Sequence, residues 1–352
     1  MLVPGNKSME KLTRILGGAL LFLLPLTFTS CDLANGEVDN PIEPTPAQKP
    51  TYANDKERPL TFEAAKANVK VTLKFKSNAK PDYKKVEYSL DEGATWTALK
   101  RRSQAILLEN VGDKVMFRGN NPTYNGDAQF VVESAVAGTR GSSSTDLKAR
   151  LYGNILSMIT SGNYSALKKL VSENAAAFKN LFKGAPIDVQ SENGKNKLEL
   201  PAEELASHCY EGTFAKTLLT VAPALIAKIL VEGCYVSTFE GCENLEEVFI
   251  GANAVEDGTK IEDCVDGMLK NAGTDLEDGK TPTVKFTDEG GSTSSGSVTA
   301  EELAGVILQD AGDENTDWDA VTVDEKGNET PIEVDTDSNS ATMDITYGEE
   351  DW

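Results

Sequence analysis

Histidine is nearly absent from this 352-residue chain: His208 is the only one. A single imidazole removes most histidine-based catalysis and nearly all common zinc sites, which draw on several. His208 is read as structural or solvated. The five cysteines include no Cys-x-x-Cys pair, so a zinc site built from thiolates has little support. Cations are also scarce, with 34 Lys and Arg against 56 Asp and Glu and a formal net charge of −22. That balance argues against nucleic acid or anionic lipid headgroups as partners, since both require a positive footprint. Beyond the first 30 residues no long apolar run occurs, so no membrane-spanning helix is expected there. No catalytic residue, cofactor or metal is assigned from the sequence.

What is present begins with Lys7, Lys11 and Arg14, followed by the uncharged apolar run Ile15 to Leu26. The run is too short to span about 30 Å of hydrocarbon as a helix and has the length of a signal-peptide core. It ends in Leu26-Thr27-Phe28-Thr29-Ser30-Cys31, which resembles the lipobox of bacterial lipoproteins, with Phe28 where Leu is commoner. The resemblance implies a signal peptide over 1–30, cleavage before Cys31, and lipid on that cysteine as a membrane anchor. Residues 31–58, rich in Pro, Asn and acids and including Pro41, Pro44, Pro46 and Pro50, read as a flexible tether.

From 59 to 137 the pattern is that of short strands. Val69, Val71, Leu73 and Phe75 alternate with Lys70, Thr72, Lys74 and Lys76, a period of two with one wet face. Further strands at Val86–Leu90 and around Val115 and Phe117 suggest an antiparallel β-sandwich. Ser89-Leu90-Asp91-Glu92-Gly93-Ala94-Thr95-Trp96 matches the Asp-box of sialidase propellers. A single copy, without an arginine cluster, is read as a folding device in which Asp91 caps turn amides and Trp96 packs beneath.

The region 138–282 carries the most specific signal. Leu205, Cys209, Tyr210 and Phe214 recur 25 residues later as Leu230, Cys234, Tyr235 and Phe239, followed by Cys242 and Leu245. A degraded copy places Cys264, Met268 and Leu269 about 30 residues on, and Phe178 to Ile187 looks like the tail of an earlier one. Such a period suggests a leucine-rich solenoid, whose stacked copies share one core. Cys209, Cys234, Cys242 and Cys264 are then a buried ladder, with disulfides as the rival reading. Ahead of the repeats, Leu167, Leu170, Val171, Phe178, Leu181 and Phe182 suggest an amphipathic capping helix.

The L-x-L-P-A-x-x-L-A-x-x-C-Y-x-x-x-F run from Leu198, the following A-P-x-L and the F-x-G-C-x-N-L element resemble BspA-type leucine-rich repeats. These occur in surface lipoproteins of Bacteroidales-like bacteria. The likeness covers roughly residues 64–276, with few, irregular copies and Ala215-Lys216-Thr217 where F-x-G-C would stand. It implies adhesion-like binding of an extracellular host protein or glycan from the outer membrane, exposed at the cell surface, with no enzymatic activity. Two other functions remain open: a structural subunit of a surface assembly, and a glycan-active enzyme using paired carboxylates.

Residues 283–352 read as a linker and an acidic α+β segment. It has a strand at 283–287, a capping box at Thr299-Ala300-Glu301-Glu302 opening a short helix, and strands at 321–323 and 331–334. Two acidic runs, Asp335-x-Asp337-x-Asn339 and Asp313-x-Asn315-x-Asp317, lack the glycine and glutamate of a calcium loop. The fold class expected is therefore multidomain α+β: an antiparallel β-sandwich, a short leucine-rich solenoid and the acidic end.

Overall fold

The chain opens with seven strands: β1 (Leu60–Ala64), β2 (Val69–Phe75), β3 (Val86–Ser89), β4 (Thr97–Ala98), β5 (Ser103–Leu108), β6 (Lys114–Gly119) and β7 (Ala128–Ser134), with clear alternation of burial along β7 and buried stretches in β1 and β6. The computed structural model describes residues 48–77, 79, 81–135, 146–277, 279–287, 296–309, 311 and 318–334. Cys31, the expected signal peptide and both acidic calcium-like runs lie outside the described residues. All described residues fall in one compact unit. It is mixed α+β, mostly sheet, with several sheets and few helices.

β1 pairs antiparallel with β6 and with β8 (Ala149–Asn154), and β6 pairs with β3, which carries β4. A second sheet places β2 between β5 and β7. The buried faces of the two sheets meet through aromatic rings. Phe62 of β1 and Phe117 of β6 lie 4.8 and 4.9 Å from Phe130 of β7, centroid to centroid. The main sheet runs across residue 138, where the sequence suggested a domain boundary: β8 also pairs in parallel with β9 (Ile187–Asp188) and β10 (Leu198–Glu199).

The expected tether also differs from the structure at its end. Residues 50–58 pack on the first sheet instead of trailing away. Arg58 lies over the rings of Tyr52 and Tyr152. The Lys56 carbonyl accepts from the Asn154 side chain at 2.9 Å, and the Glu57 carbonyl accepts from the Tyr164 hydroxyl. Asn154 is fully buried and Tyr164 nearly so, and a buried donor left unpaired costs about 1–3 kcal/mol. That demand holds the segment down despite its polar composition.

The helix expected over 167–182 does not form. Residues 174–185 instead make successive turns in which Ala177, Lys179, Leu181, Lys183 and Ala185 each donate to the carbonyl three residues back. The intervening amides point outward to the next segment: Ala176, Phe178, Asn180, Phe182 and Gly184 donate to the carbonyls of Ser207, Cys209, Glu211, Thr213 and Ala215. Positive φ at Ala176, Asn180 and Gly184 breaks any right-handed helix. The apolar spacing of four residues, Phe178 to Phe182, is close enough to the helical 3.6 to suggest a helix over one short segment.

The pattern repeats. His208, Tyr210, Gly212, Phe214 and Lys216 donate to the carbonyls of Glu232, Cys234, Val236, Thr238 and Glu240. Gly233, Tyr235, Ser237, Phe239 and Gly241 donate in turn to Asp263, Cys264, Asp266, Met268 and Lys270, where helix α1 (Ile261–Val265) replaces the first turns. Four segments are thus laddered in register. Two aromatic columns thread them: Tyr124–Phe178–Tyr210–Tyr235, and Phe130–Phe182–Phe214–Phe239, with neighbouring centroids 5.5 to 6.1 Å apart. The second column begins in the core of the two sheets, so the sheets and the ladder share one core.

On the other side of the ladder lie short strands. β11 (Ile229–Leu230) pairs in parallel with β13 (Ala254–Val255) as a separate two-stranded sheet. β12 (Glu247–Ile250), β14 (Thr283–Thr287) and β15 (Asp319–Val323) run parallel, with β16 (Glu329–Pro331) antiparallel at the edge. Parallel neighbours need a crossover, supplied between β14 and β15 by helix α2 (Ala300–Gln309). Its capping box forms: Glu302 N–H donates to Thr299 Oγ1 at 3.1 Å, and Thr299 N–H to the Glu302 carboxylate at 2.8 Å.

Left-handed positions recur every four residues in the turns, and between neighbouring segments a side chain faces a glycine. His208 overlies Gly233, Asn180 overlies Gly212 and Lys216 overlies Gly241, where an added Cβ would meet Lys216 Cγ at 3.1 Å. Gly233 has φ 66°. Gly233→Ala should destabilise the chain by about 1–3 kcal/mol, from left-handed strain plus collision with the His208 ring. Adding His208→Ala should recover part of the loss. Urea denaturation of the two single variants and the double variant measures this; equal losses in the single Gly233 variant and the double variant would disprove the steric part.

Candidate functional site

The residues singled out by the repeat meet in the ladder. Cys209, Phe214, Leu230, Cys234, Phe239, Cys242, Leu245 and Cys264 are all essentially inaccessible, and Leu205 is half-buried against the same core. The four cysteines are free thiols. Cys234 Sγ approaches the Cys264 carbonyl at 3.9 Å, Cys242 Sγ donates to the Phe214 carbonyl at 3.1 Å, and Cys264 Sγ to the Lys260 carbonyl at 3.3 Å. Thr213 and Thr238, four residues after Cys209 and Cys234, donate to the carbonyls of Phe178 and Tyr210. Cys242 thus does the same work as the two threonines, a small side chain that reaches a carbonyl of the preceding segment, while Cys234 faces the following segment and Cys264 bonds within its own. Burial pushes the Cys209 thiol up to about 12 and the Cys242 thiol up to about 11, which suits packing and not nucleophilic chemistry.

The Asp-box closes on itself. Asp91 Oδ1 accepts from Thr95 N–H at 2.9 Å and from Ser89 Oγ at 2.7 Å, while Oδ2 accepts from Thr95 Oγ1 at 2.6 Å. Trp96 Nε1 donates to the Gly93 carbonyl, and the Arg118 guanidinium lies 4.0 Å from its ring centroid. The hydrogen bonds from Thr95 hold the Asp91 carboxyl at about 2.

Three concavities lie outside these clusters. A groove of about 220 Å³ runs beside the β9–β10 connection and is lined by Glu199, Val221, Glu247 and Phe249 among others. Burial raises the pKa of Asp188 and Glu199. Asp188 turns its oxygens to Val189 N–H and Thr220, and Glu247 pairs with Lys285 at 2.7 Å. Paired-carboxyl glycan chemistry calls for two acids across a cleft; here Glu247 is paired with Lys285, and Glu199 sits in the field of Lys56 and Lys197, which line the same groove. A second hollow, about 650 Å³, lies against β15 and β16 with Trp318, Val321 and Ile332 in its wall.

The third is a cleft of about 480 Å³ at the joint between the strands and the ladder. Lys74 and Lys76 reach it from the end of β2, and Lys179 and Lys183 from the first turn segment. Lys76 pairs with Asp127 at 2.8 Å and Lys179 with Glu211 at 2.6 Å. Lys74 and Lys183 have no acidic partner among the described residues. The Asn125 side-chain oxygen, also in the wall, is buried without a hydrogen-bond donor. The sequence offered no hint of this cleft. Lys74 and Lys76 read as the wet face of a strand, and they lie a hundred residues from Lys179 and Lys183.

Among the described residues no group of His, Cys, Asp and Glu is arranged to hold a metal, and no helix is long and apolar enough to cross a membrane.

Native protein should leave Cys209, Cys234, Cys242 and Cys264 unreactive toward a water-soluble disulfide reagent over minutes, and expose all four in guanidinium. Mass mapping of labelled peptides checks this; fast native labelling of Cys209 would contradict the burial. A second expectation concerns pH. Because folding lowers the Asp91 pKa, its contribution is full above about pH 4 and is lost as pH falls through about 2. Asp91→Asn should therefore be less stable than the parent at pH 7, with the gap closing between pH 4 and 2 in urea titrations. A gap independent of pH would refute the assignment.

No family model matches the chain, and no curated protein or solved structure matches it either.

Proposed function

We propose that this chain is a lipid-anchored outer-membrane protein, displayed at the cell surface, that binds an extracellular protein or glycan without catalysing a reaction. Its repeats are read as worn BspA-type leucine-rich repeats. The observation that carries the reading is the register of the turn ladder, in which consecutive segments align amide to carbonyl and ring upon ring. A stack of this kind keeps its specific side chains inside and frees the outer positions to vary. Equivalent positions then form rows on the surface, the arrangement by which repeat proteins make extended binding faces.

The parallel strands support the same reading. Glu247, Thr283 and Asp319 are register partners across β12, β14 and β15, as are Phe249, Lys285 and Val321. Lys285 bridges Glu247 and Glu329 at 2.7 Å each, tying the register of β12, β14 and β16 together at that face, where Val321 is buried. Membrane attachment rests on Cys31 and the apolar run before it. Several acyl chains on one cysteine anchor stably where one would not.

Replacing Cys31 by Ser should move the protein from the membrane fraction to the soluble fraction of cells that make lipoproteins, and abolish labelling by radioactive palmitate. Added protease should digest the wild-type chain on intact cells. Retention of Cys31→Ser in membranes would remove the anchor, and full protection of the wild type would remove surface display.

A further inference from the structure

The hollow of about 650 Å³ beside β15 and β16 is the open end of a core layer. Leu308 and Ala311 reach it from the end of α2, Trp318 and Ala320 from the start of β15, and Ile332 and Val334 from the stretch after β16. Ala311, Trp318, Ile332 and Val334 pack against the buried core and are themselves only half-buried. An apolar concavity of this kind calls for a cover or a partner. The edge strand beside it is closed to strand addition. Ile332 N–H donates to the Ala320 carbonyl, so alternation along β16 turns the Pro331 backbone to the free side, where it has no N–H to offer. An occupant is therefore held by apolar side chains and not by a new row of backbone bonds.

The chain itself supplies such an occupant. Val334, in the wall of the hollow, is followed by 18 further residues, 335–352. Their composition is divided. Residues 335–340 and 348–352 carry Asp335, Asp337, Glu349, Glu350 and Asp351. Between them, Ala341-Thr342-Met343-Asp344-Ile345-Thr346-Tyr347 has a single charge and an apolar side chain at every second position. The connection from Ala311 to Trp318 offers no alternative, since Gly312 to Asp317 includes no apolar side chain. Six residues, 335–340, separate Val334 from Ala341, and six residues span about 20 Å when extended. That is enough to turn back over the hollow, and short enough to hold the stretch at an effective concentration of about millimolar. Glu329 at the rim is already engaged by Lys285 at 2.7 Å. We propose that residues 341–347 of this same chain close the hollow, laying Met343, Ile345 and Tyr347 against Trp318, Ile332 and Val334. The C-terminus is then a built-in cover of the last sheet, and that end of the fold is withheld from other molecules. The proposal is independent of the anchor and of the binding function proposed above.

The test compares the full chain with a chain ending at Val334, each titrated calorimetrically with a synthetic peptide of residues 338–350. The peptide has no tryptophan and the shortened chain keeps only Trp96 and Trp318, so a blue shift of emission on binding reports on Trp318. The peptide should bind the shortened chain with micromolar affinity and produce that shift. It should bind the full chain at least tenfold more weakly, because the tethered copy competes. A peptide carrying Ile345→Asp and Tyr347→Asp should not bind. In the full chain the same two substitutions should speed amide exchange along β15 and β16 at least tenfold and leave the turn ladder unchanged. This second arm decides the matter if the urea midpoint shows that the shortened chain does not fold. No peptide binding to a folded shortened chain, equal binding to both chains, or unchanged exchange in the double variant would each overturn the proposal. So would protection of β15 and β16 that grows with protein concentration, since the cover would then come from a second copy.

Discussion

The turn ladder imposes one requirement on everything around it: every second amide must find a carbonyl in the next segment. Within 174–185, 206–217 and 231–242 the odd or even alternation assigns half of the amides to local turns and half to the neighbour. Buried amides left without acceptors would each cost about 1–3 kcal/mol, so the register cannot slip by one residue without losing the whole set. That requirement fixes where the left-handed residues fall. It tolerates Ala176, His208, Lys216 and Ser237 at positive φ, although each costs on the order of 1 kcal/mol relative to glycine. The hydrogen-bond ladder wins because many bonds depend on each such residue.

Once the register is set, side-chain columns follow by geometry. Rings at Phe178, Tyr210 and Tyr235 stand in one file, and those at Phe182, Phe214 and Phe239 in the other. Each contact adds about 0.5–1.5 kcal/mol beyond burial of area. The file of small residues through Cys209 and Cys234 leaves room for these rings, and Thr217 stands where Cys242 stands one segment later, its hydroxyl 3.4 Å from that sulfur. Departure from the F-x-G-C element at 214–217 is therefore mild in physical terms. Lys216 accepts the glycine's conformation, and the Thr217 hydroxyl shares the Phe214 carbonyl with the Cys242 thiol.

Much of this was legible in the chain and some was not, for definite reasons. The 25-residue spacing of Leu205, Cys209, Tyr210 and Phe214 pointed to stacking because identical residues must meet identical neighbours. The strand at 283–287 and the Thr299–Glu302 cap were readable because period and capping chemistry are local. The helix over 167–182 was misread because four-residue turns and a 3.6-residue helix coincide over so few positions; extended backbone at Leu167 and Val171 and left-handed Ala176 and Asn180 separate them, and of these only Asn180 is a residue that favours such a conformation. The folded end of the tether was hidden for another reason: what holds residues 50–58 is the unmet hydrogen bonding of Asn154 and Tyr164, about a hundred residues away.

The same joint that starts the two columns also builds the lysine cleft. Tyr124 and Phe130 head the columns, and they bracket the turn Asn125-Gly126-Asp127 that forms one wall. Asn174, itself buried, donates to the carbonyls of Pro122 and Tyr124, and the Phe130 amide donates to the Leu181 carbonyl. These bonds set the ladder's first segment against β7 with no slack. Lys179 and Lys183 leave that segment one four-residue step apart, so both project on the side facing Lys74 and Lys76. Their convergence is a consequence of a packed core and not of a mobile loop.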